Sequence, residues 1–225
     1  MKNKIGIISD IHGNFEALKS VLAELDKMHV TDIYCLGDVV GYYSQVNECC
    51  DELRAHNIPC IMGNHDWYMA SGGFCPRSKS VNDCLAYQRK VITTENIEWL
   101  RTFPVQRFVG KMHLVHGGWA DPIDEYITEP TEEYFSNIAG EVYVSGHTHI
   151  QSLYAFKNKM YCNPGSVGMP RDNDPRAAFA VYDGGFTLHR VDYDMQKVFQ
   201  LMDNAGFSDY YYGCLKTGAK NLCKL

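Results

Sequence analysis

The chain has 225 residues, of which 45% are hydrophobic and 21% are charged, the composition of a folded globular protein with room for a core. Its formal net charge of −6 argues against general electrostatic binding to nucleic acid or to an anionic membrane surface. No apolar signal segment opens the sequence and no apolar run is long enough to cross a bilayer, so we expect a cytoplasmic protein.

The first sixty or so residues alternate between strand and helix patterns. Strands are expected at residues 4–9, 32–36 and 58–62, and helices are expected after Asn14, a plausible N-cap, and within 45–56. This order is typical of right-handed crossovers and a largely parallel sheet. Each strand is followed by a polar turn that contains glycine, and these turns should lie on one edge of the sheet.

The middle of the chain is more helical and the last third is rich in strands. Helices are expected at 79–92, 94–101, 131–139 and 194–204. Further strands are expected at 105–109, 112–115, 142–144, 153–156, 160–162, 178–182 and 186–191. Since neither repeats nor a linker interrupt the sequence, we expect one domain over 1–225, with a C-terminal helix and tail from about 194.

The nine cysteines include no Cys-x-x-Cys pair, so we expect reduced thiols that fill the core. The adjacent Cys49 and Cys50 could instead form a redox or zinc feature.

Metal-ligand residue types follow five of the predicted strands. After the first strand come Asp10 and His12, which would share one face if the strand continued through them. The other turns contribute Asp38, Asn64 with His65, His116, and His147 with His149. Any one of these motifs is weak evidence, but together they predict a metal centre at the strand ends.

The residue types of this set indicate which ions would bind. Mixed histidine, aspartate and asparagine ligands suit Mn²⁺, Fe or Zn²⁺ better than Mg²⁺ or Ca²⁺, which prefer all-oxygen sites. With His65 set aside, the remaining side chains exceed the needs of one ion and fit two ions about 3.5 Å apart that share a carboxylate. A mononuclear zinc hydrolase is the weaker alternative, because it would leave several ligands unused.

Five segments, in this order, resemble the signature blocks of the calcineurin-like metallophosphoesterases. They are Asp-Ile-His-Gly-Asn at 10–14, Gly-Asp-Val-Val-Gly at 37–41, Gly-Asn-His-Asp at 63–66, His-Gly-Gly at 116–118 and Gly-His-Thr-His at 146–149. The chain is most similar to the small prokaryotic phosphoesterases, whose Asn-Pro-Gly-Ser-Val-Gly turn resembles 163–168. The resemblance implies a four-layer α/β/β/α sandwich of two mixed sheets, with the metals between the sheets.

The resemblance also implies a role for each motif residue. The first metal would bind Asp10, His12 and His149, the second would bind Asn64, His116 and His147, and Asp38 would bridge them. The cofactors would be two divalent ions, Mn²⁺ in the first instance and Fe, Zn²⁺ or Ni²⁺ as alternatives. His65 matches the family's catalytic histidine, which stabilises or protonates the leaving oxygen. Asp66 could orient that imidazole or could cap a helix.

Substrate selection should depend on the loops 67–78, 117–130 and 165–176. In the last of these, Arg171 and Arg176 could bind a second phosphate, with Asn64 as a further substrate contact, or the arginines could be ordinary surface charges. Three aromatic residues near the site loops could stack on a nucleobase or could simply pack in the core. They are Trp67, Tyr68 and Trp119.

The predicted function is hydrolysis of phosphate esters, with phosphodiester or nucleotide-type small molecules as substrates. A hydroxide bridging the two metals would attack phosphorus while His65 assists the leaving group. A dinucleoside polyphosphate hydrolase or a protein phosphatase of the same fold is the alternative. A non-catalytic metal-binding scaffold is the alternative from a different class, against which the intact ligand set and His65 argue. The expected partner is a small phosphorylated substrate, and we expect no general nucleic-acid binding and no membrane association.

Overall fold

The computed structural model describes residues 4–219, in which nine strands form two sheets. The strands are β1 (Ile5–Ile8), β2 (Asp32–Cys35), β3 (Gln106–Val109), β4 (Met112–Val115), β5 (Val142–Val144), β6 (Gln151–Phe156), β7 (Lys159–Pro164), β8 (Ala177–Tyr182) and β9 (Phe186–Val191). The first sheet has the order β2-β1-β8-β9, and the second has the order β3-β4-β5-β7-β6.

Both sheets are mixed, as expected. In the first sheet β1 runs parallel to β2 and antiparallel to β8. In the second sheet β4, β5 and β7 are parallel to one another, and the outer strands β3 and β6 are antiparallel to their neighbours. The parallel strands bring their carboxyl ends to one edge, where the predicted metal ligands follow β1, β2, β4 and β5.

Seven α-helices accompany these strands within the described range. They are α1 (Phe15–Lys27), α2 (Val46–Ala55), α3 (Asn64–Ser71), α4 (Lys79–Val91), α5 (Thr94–Leu100), α6 (Glu132–Ser136) and α7 (Met195–Asn204). Asn14 caps α1, since its side chain accepts a hydrogen bond from the backbone N–H of Ala17 at 3.1 Å. None of the helices between residues 4 and 219 is long and apolar enough to span a membrane.

Successive side chains of a strand point to opposite faces of its sheet, so each sheet packs against the other sheet on one face and against helices on the other. The result is a structure of four layers. On β1, Ile7 lies between the two sheets, whereas its neighbour Ile8 packs against the helices outside the first sheet. On β5, Val144 likewise lies between the sheets, whereas Tyr143 packs against Phe135 of α6 outside the second sheet. The predicted α/β/β/α sandwich is therefore confirmed. Truncating a residue of the central layer, as in Ile7→Ala, would cost about 2–5 kcal/mol of folding free energy.

The predicted strand at 58–62 is wrong. This segment forms a single parallel bridge between Cys60 and Cys35. Pro59 has no N–H to continue a ladder, and Met62 turns away to donate its N–H to the carbonyl of Pro104 at 2.8 Å. The chain then enters α3, so the first part of the loop expected at 67–78 is helical. The helix ends at Gly72, which has a left-handed conformation with φ 76°.

Cys49 and Cys50 lie on the buried face of α2, and neither side chain is exposed. Both are free, and burial raises the pKa of each thiol well above its ordinary value. The clusters with metal-ligand geometry found in residues 4–219 contain no cysteine. The pair is therefore core filler, and the redox or zinc alternative has no support in the structure.

Candidate metal centre

A left-handed backbone conformation brings five of the predicted ligands together. Their φ angles lie between +54° and +65°, and the residues are Asp10, His12, Asp38, His147 and His149. Such angles are uncommon for residues other than glycine and cost of order 1–3 kcal/mol each, so they persist only where the surroundings hold them.

The expectation that strand alternation aligns Asp10 and His12 is wrong. β1 ends at Ile8, and both residues lie in the turn after it. The turn is held by the second motif, because the Asp10 N–H donates to the carbonyl of Gly37 at 3.0 Å and the His12 N–H donates to the carbonyl of Asp38 at 2.9 Å. The two motifs therefore support each other's strained backbone.

The first ligand cluster joins Asp10, His12 and His149. His12 Nδ1 donates to the Val40 carbonyl at 3.0 Å, and His149 Nδ1 donates to the Met169 carbonyl at 2.6 Å. These bonds leave the two Nε2 atoms unprotonated, yet they face each other at 3.0 Å. Asp10 Oδ1 lies 3.2 Å from His149 Nε2 and is buried without a hydrogen-bond partner in residues 4–219. Facing lone pairs beside an unpaired carboxylate oxygen fit a cation between them.

The second cluster gathers around His116. Its Nδ1 donates to the Leu36 carbonyl at 2.8 Å, and its Nε2 lies 3.1 Å from His147 Nδ1 and 3.3 Å from Asn64 Oδ1. Asp38 Oδ2 is 3.4 Å from the same nitrogen and 3.7 Å from His12 Nε2 in the first cluster. One carboxylate oxygen therefore faces both clusters, the geometry that a shared ligand requires.

The directions in which the pKa values of the four histidines are shifted agree with a cation-binding site. Burial lowers the pKa of His12 and His149 well below the ordinary value and lowers that of His147 to about 2, so these rings are neutral. Burial also disfavours the charged form of His116, but the adjacent Asp38 outweighs burial and raises the pKa of His116 to about 10. The Asp38 carboxylate therefore favours positive charge at this position, as a ligand of a cation would.

His65 lies between the clusters on the first turn of α3. Its Nε2 is 4.0 Å from Asp38 Oδ2, and its ring packs edge-on against the ring of His12 at 4.8 Å between centroids. His65 Nδ1 is buried and, within the described chain, has no hydrogen-bond partner. Burial lowers the pKa of His65, so the ring is a neutral imidazole close to both clusters.

Asp66 does not orient His65. Its Oδ2 accepts the N–H groups of Asp38 at 2.7 Å and of Gly63 at 3.1 Å, and its Oδ1 accepts those of Val39 at 2.9 Å and of Val40 at 3.2 Å. Both oxygens are therefore engaged by the backbone. The bond to Gly63 caps the start of α3, and the other three hold the loop that carries Asp38.

The two arginines of the 165–176 loop occupy different environments. Arg171 is half-buried and donates to the Tyr42 hydroxyl at 3.0 Å, and its charge adds to burial in lowering the pKa of His149. Arg176 is exposed and forms a fork to Asp174 at 3.0 and 2.7 Å within the same turn. Arg171 is thus beside the metal centre, whereas Arg176 has the geometry of a surface charge.

Of the aromatic residues considered for base stacking, only Trp67 is well exposed, at 46%. Tyr68 is buried in the core, and Trp119 packs against Tyr143 outside the second sheet at 5.1 Å between ring centroids.

Residues that were not singled out from the sequence complete the rim. The Tyr126 ring lies 3.8 Å from the His147 ring and is 42% exposed, and Asp124 Oδ1 is 3.7 Å from His147 Nε2. Both belong to the 117–130 loop, whose position after His116 was the available signal. Tyr42 directly follows the Gly-Asp-Val-Val-Gly motif and packs against the rings of His12 and His65 at 4.7 and 5.0 Å.

Comparison with known proteins agrees with the motifs. A family model described as the calcineurin-like phosphoesterase superfamily domain matches residues 3–184. The uncharacterised protein MJ0912 of Methanocaldococcus jannaschii is 31% identical over 224 residues, covering 89% of this chain and 92% of that protein.

Two solved structures are similar over nearly their whole length. A metallophosphoesterase from Sphaerobacter thermophilus has a TM-score of 0.84 at 29% identity, with 97% of this chain and 100% of that chain covered. Protein PH1004 from Pyrococcus horikoshii OT3 has a TM-score of 0.84 at 22% identity, with 96% and 99% covered, which is a likeness of fold. The chain therefore belongs to the calcineurin-like phosphoesterase superfamily and is a hydrolase of phosphate esters.

Proposed function

We propose that this protein hydrolyses phosphodiester or nucleotide-type small substrates with two divalent metal ions. One ion would bind Asp10, His12 and His149, the other would bind Asn64, His116 and His147, and Asp38 would bridge them. The observation that carries the proposal is the position of Asp38 Oδ2, which lies 3.7 Å from His12 Nε2 in one cluster and 3.4 Å from His116 Nε2 in the other.

The ligand chemistry favours Mn²⁺, with Fe, Zn²⁺ or Ni²⁺ as alternatives, because imidazole nitrogens are mixed with carboxylate and amide oxygens. Two such cations supply an activated water for the attack and neutralise the charge that develops on the phosphoryl group. The protein's part is to hold the ligands in place, and the carbonyl partners of His12, His116 and His149 do this by fixing each ring's tautomer.

His65 is the residue that would assist the leaving group. It stands beside Asp38 without being needed by either ligand set, and its Nδ1 has no competing partner in residues 4–219. Since burial keeps the ring neutral, it carries one N–H, which can donate a hydrogen bond to the leaving oxygen as charge develops there.

Arg171 and Asn64 are the candidate substrate contacts. The Arg171 guanidinium is oriented by the Tyr42 hydroxyl and lies 5.9 Å from the centre of that ring. A guanidinium held this close to the metal ligands can form charge-assisted hydrogen bonds to a phosphate oxygen. Its position favours substrates with a second anionic group, such as nucleotides.

A substrate panel tests this proposal. The Mn²⁺-loaded protein is assayed against bis(p-nitrophenyl) phosphate, p-nitrophenyl phosphate, cyclic nucleotides, dinucleoside polyphosphates and a phosphorylated peptide. We expect turnover of the diester and of nucleotide-type substrates, and loss of turnover when a chelator removes the metal. Turnover of the peptide alone would indicate a protein phosphatase. A protein that binds both ions and hydrolyses none of these substrates would be a scaffold, and the proposed activity would be rejected.

A further inference from the structure

Each predicted ligand histidine has one ring nitrogen that points away from its ligand cluster. Within residues 4–219, these nitrogens do not all have a hydrogen-bond partner. His12, His116 and His149 each donate Nδ1–H to a backbone carbonyl, at 3.0, 2.8 and 2.6 Å. His147 has the opposite orientation, with Nδ1 directed to the second cluster, 3.1 Å from His116 Nε2. The proton of this ring therefore belongs on Nε2 when Nδ1 binds a metal.

His147 Nε2 is buried and, in the part of the chain that the structure describes, has no hydrogen-bond partner. A buried N–H without an acceptor is unfavourable, because the group has lost its hydrogen bonds to water and gained none in return. Ligand histidines almost always donate the second N–H to a carboxylate, a carbonyl or water, because that bond fixes the ring and makes the ligand nitrogen more basic. His147 therefore needs an acceptor in the working protein.

Asp124 is placed to be that acceptor. Its Oδ1 lies 3.7 Å from His147 Nε2, less than 1 Å beyond hydrogen-bond distance. Both carboxylate oxygens accept hydrogen bonds from Arg77, and Oδ1 keeps a second lone pair for His147. The Arg77 guanidinium also lies 5.6 Å from the centre of the Tyr126 ring. Tyr126 in turn packs on the His147 ring. Arg77, Asp124 and Tyr126 therefore form one contact network that reaches the metal centre through His147.

We infer that Asp124 is a positioning residue for the second metal ion and accepts the Nε2–H of His147 when that ion is bound. The inference rests on the proposed two-metal function. The 117–130 loop would then do more than line the pocket. It follows His116 in the chain and would also hold His147, the other imidazole ligand of the same ion. Arg77 would keep the carboxylate aimed at His147.

The alternative is that Asp124 and Arg77 form an ordinary surface ion pair. Their side chains are 29% and 45% exposed, and a pair this accessible contributes little to stability. The two interpretations differ in one consequence. An ion pair is lost equally when either residue is removed. Support of His147 is lost when the carboxylate is removed and is only weakened when Arg77 is removed.

Calorimetric titration with Mn²⁺ tests the inference on the full chain, using Asp124→Ala, Arg77→Met and the distant, exposed Asp183→Asn as a control. We expect Asp124→Ala to lower the affinity for one of the two Mn²⁺ ions by about 10–100-fold and to leave the affinity for the other within about twofold of the parent value. Arg77→Met should have a clearly smaller effect, and Asp183→Asn should have none. Electron paramagnetic resonance should show uncoupled Mn²⁺ in Asp124→Ala at metal concentrations that give a coupled pair in the parent.

Equal effects of Asp124→Ala and Arg77→Met, or equal weakening of both ions, would overturn the inference. An unchanged unfolding temperature of the metal-free variants shows that the fold is retained, and Asp124→Asn, which keeps an acceptor oxygen, should fall between the parent and Asp124→Ala. A parent that binds only one ion would contradict the proposed two-metal function instead. In that case the role of Asp124 is upheld if Asp124→Ala weakens the binding of that one ion, and it is rejected if the affinity for Mn²⁺ is unchanged.

Discussion

The Asp66 carboxylate holds the backbone of Asp38 in place, because its Oδ2 accepts the Asp38 N–H at 2.7 Å. Asp38 has φ 54°, a left-handed angle that is unfavourable for aspartate, and it is the residue that faces both ligand clusters. The first turn of α3 thus stabilises the conformation on which the bridging geometry depends. This relation makes Asp66 a structural residue of the site and not a partner of His65.

Asp66→Asn should destabilise the protein and weaken metal binding together. The amide retains one acceptor oxygen, so two of the four backbone N–H groups lose their partner, at about 1–3 kcal/mol each. Urea unfolding measures the first effect and Mn²⁺ titration the second, with Asp183→Asn as the exposed control. Unchanged stability would show that water replaces the carboxylate without cost.

Gly41→Ala should remove metal binding and also lower the free energy of unfolding, since alanine is strained in the backbone conformation of Gly41. Gly41 has φ 137°, and a Cβ at this position would meet His65 Nδ1 and, at 2.7 Å, His12 Nδ1. The added methyl group must displace His12 from its bond to Val40 or move His65. Metal content after dialysis measures the effect. Gly110→Ala is the matched control, because Gly110 also has a positive φ, 56°, but a Cβ there meets nothing within 4 Å. Full metal content in Gly41→Ala would show that the added methyl group is accommodated without moving either His12 or His65.

Arg171→Ala should raise KM for nucleotide-type substrates, whereas Arg176→Ala should not. A charge-assisted hydrogen bond contributes about 1.5–3 kcal/mol, which corresponds to a loss of about 10–100-fold in kcat/KM. Arg176 forms its fork to Asp174 and serves as a control of the same residue type from the same loop. Steady-state kinetics on one nucleotide substrate compares the two variants. If both leave the kinetics unchanged, Arg171 is a packing residue for Tyr42.

His65→Ala should retain both metal ions and lose about 10²–10³-fold of turnover, the usual contribution of one positioned hydrogen-bond donor. Metal analysis and kinetics are made on the same preparation, so that the two effects are separated. Because an activated leaving group needs little assistance, the loss should be smaller with p-nitrophenyl esters than with alkyl esters. Loss of a metal ion from this variant would make His65 a ligand instead.

The features that could be predicted from the sequence are those that short local motifs determine. Asp10, His12, Asp38 and the later histidines each follow a strand pattern, so their convergence at one sheet edge follows from topology. The left-handed turn that aligns Asp10 with His12 was not predictable in this way, since it depends on hydrogen bonds to the second motif.

The parts that were missed depend on contacts between distant segments. The strand expected at 58–62 has the composition of a strand, but Pro59 and the turn toward Pro104 end its pairing after one bridge. Asp66 is beside His65 in the sequence, yet its four partners include the loop that begins 28 residues earlier. The position of the 117–130 loop after His116 was the one available signal for Asp124, because only the folded loop brings this residue near His147.

Anomalous diffraction from crystals grown with Mn²⁺ would locate the metal ions directly. We expect two manganese peaks about 3.5–4 Å apart, both in contact with the Asp38 carboxylate. One peak should lie between Asp10, His12 and His149, and the other between Asn64, His116 and His147. A single peak at full occupancy, or a second peak that does not contact Asp38, would contradict this expectation.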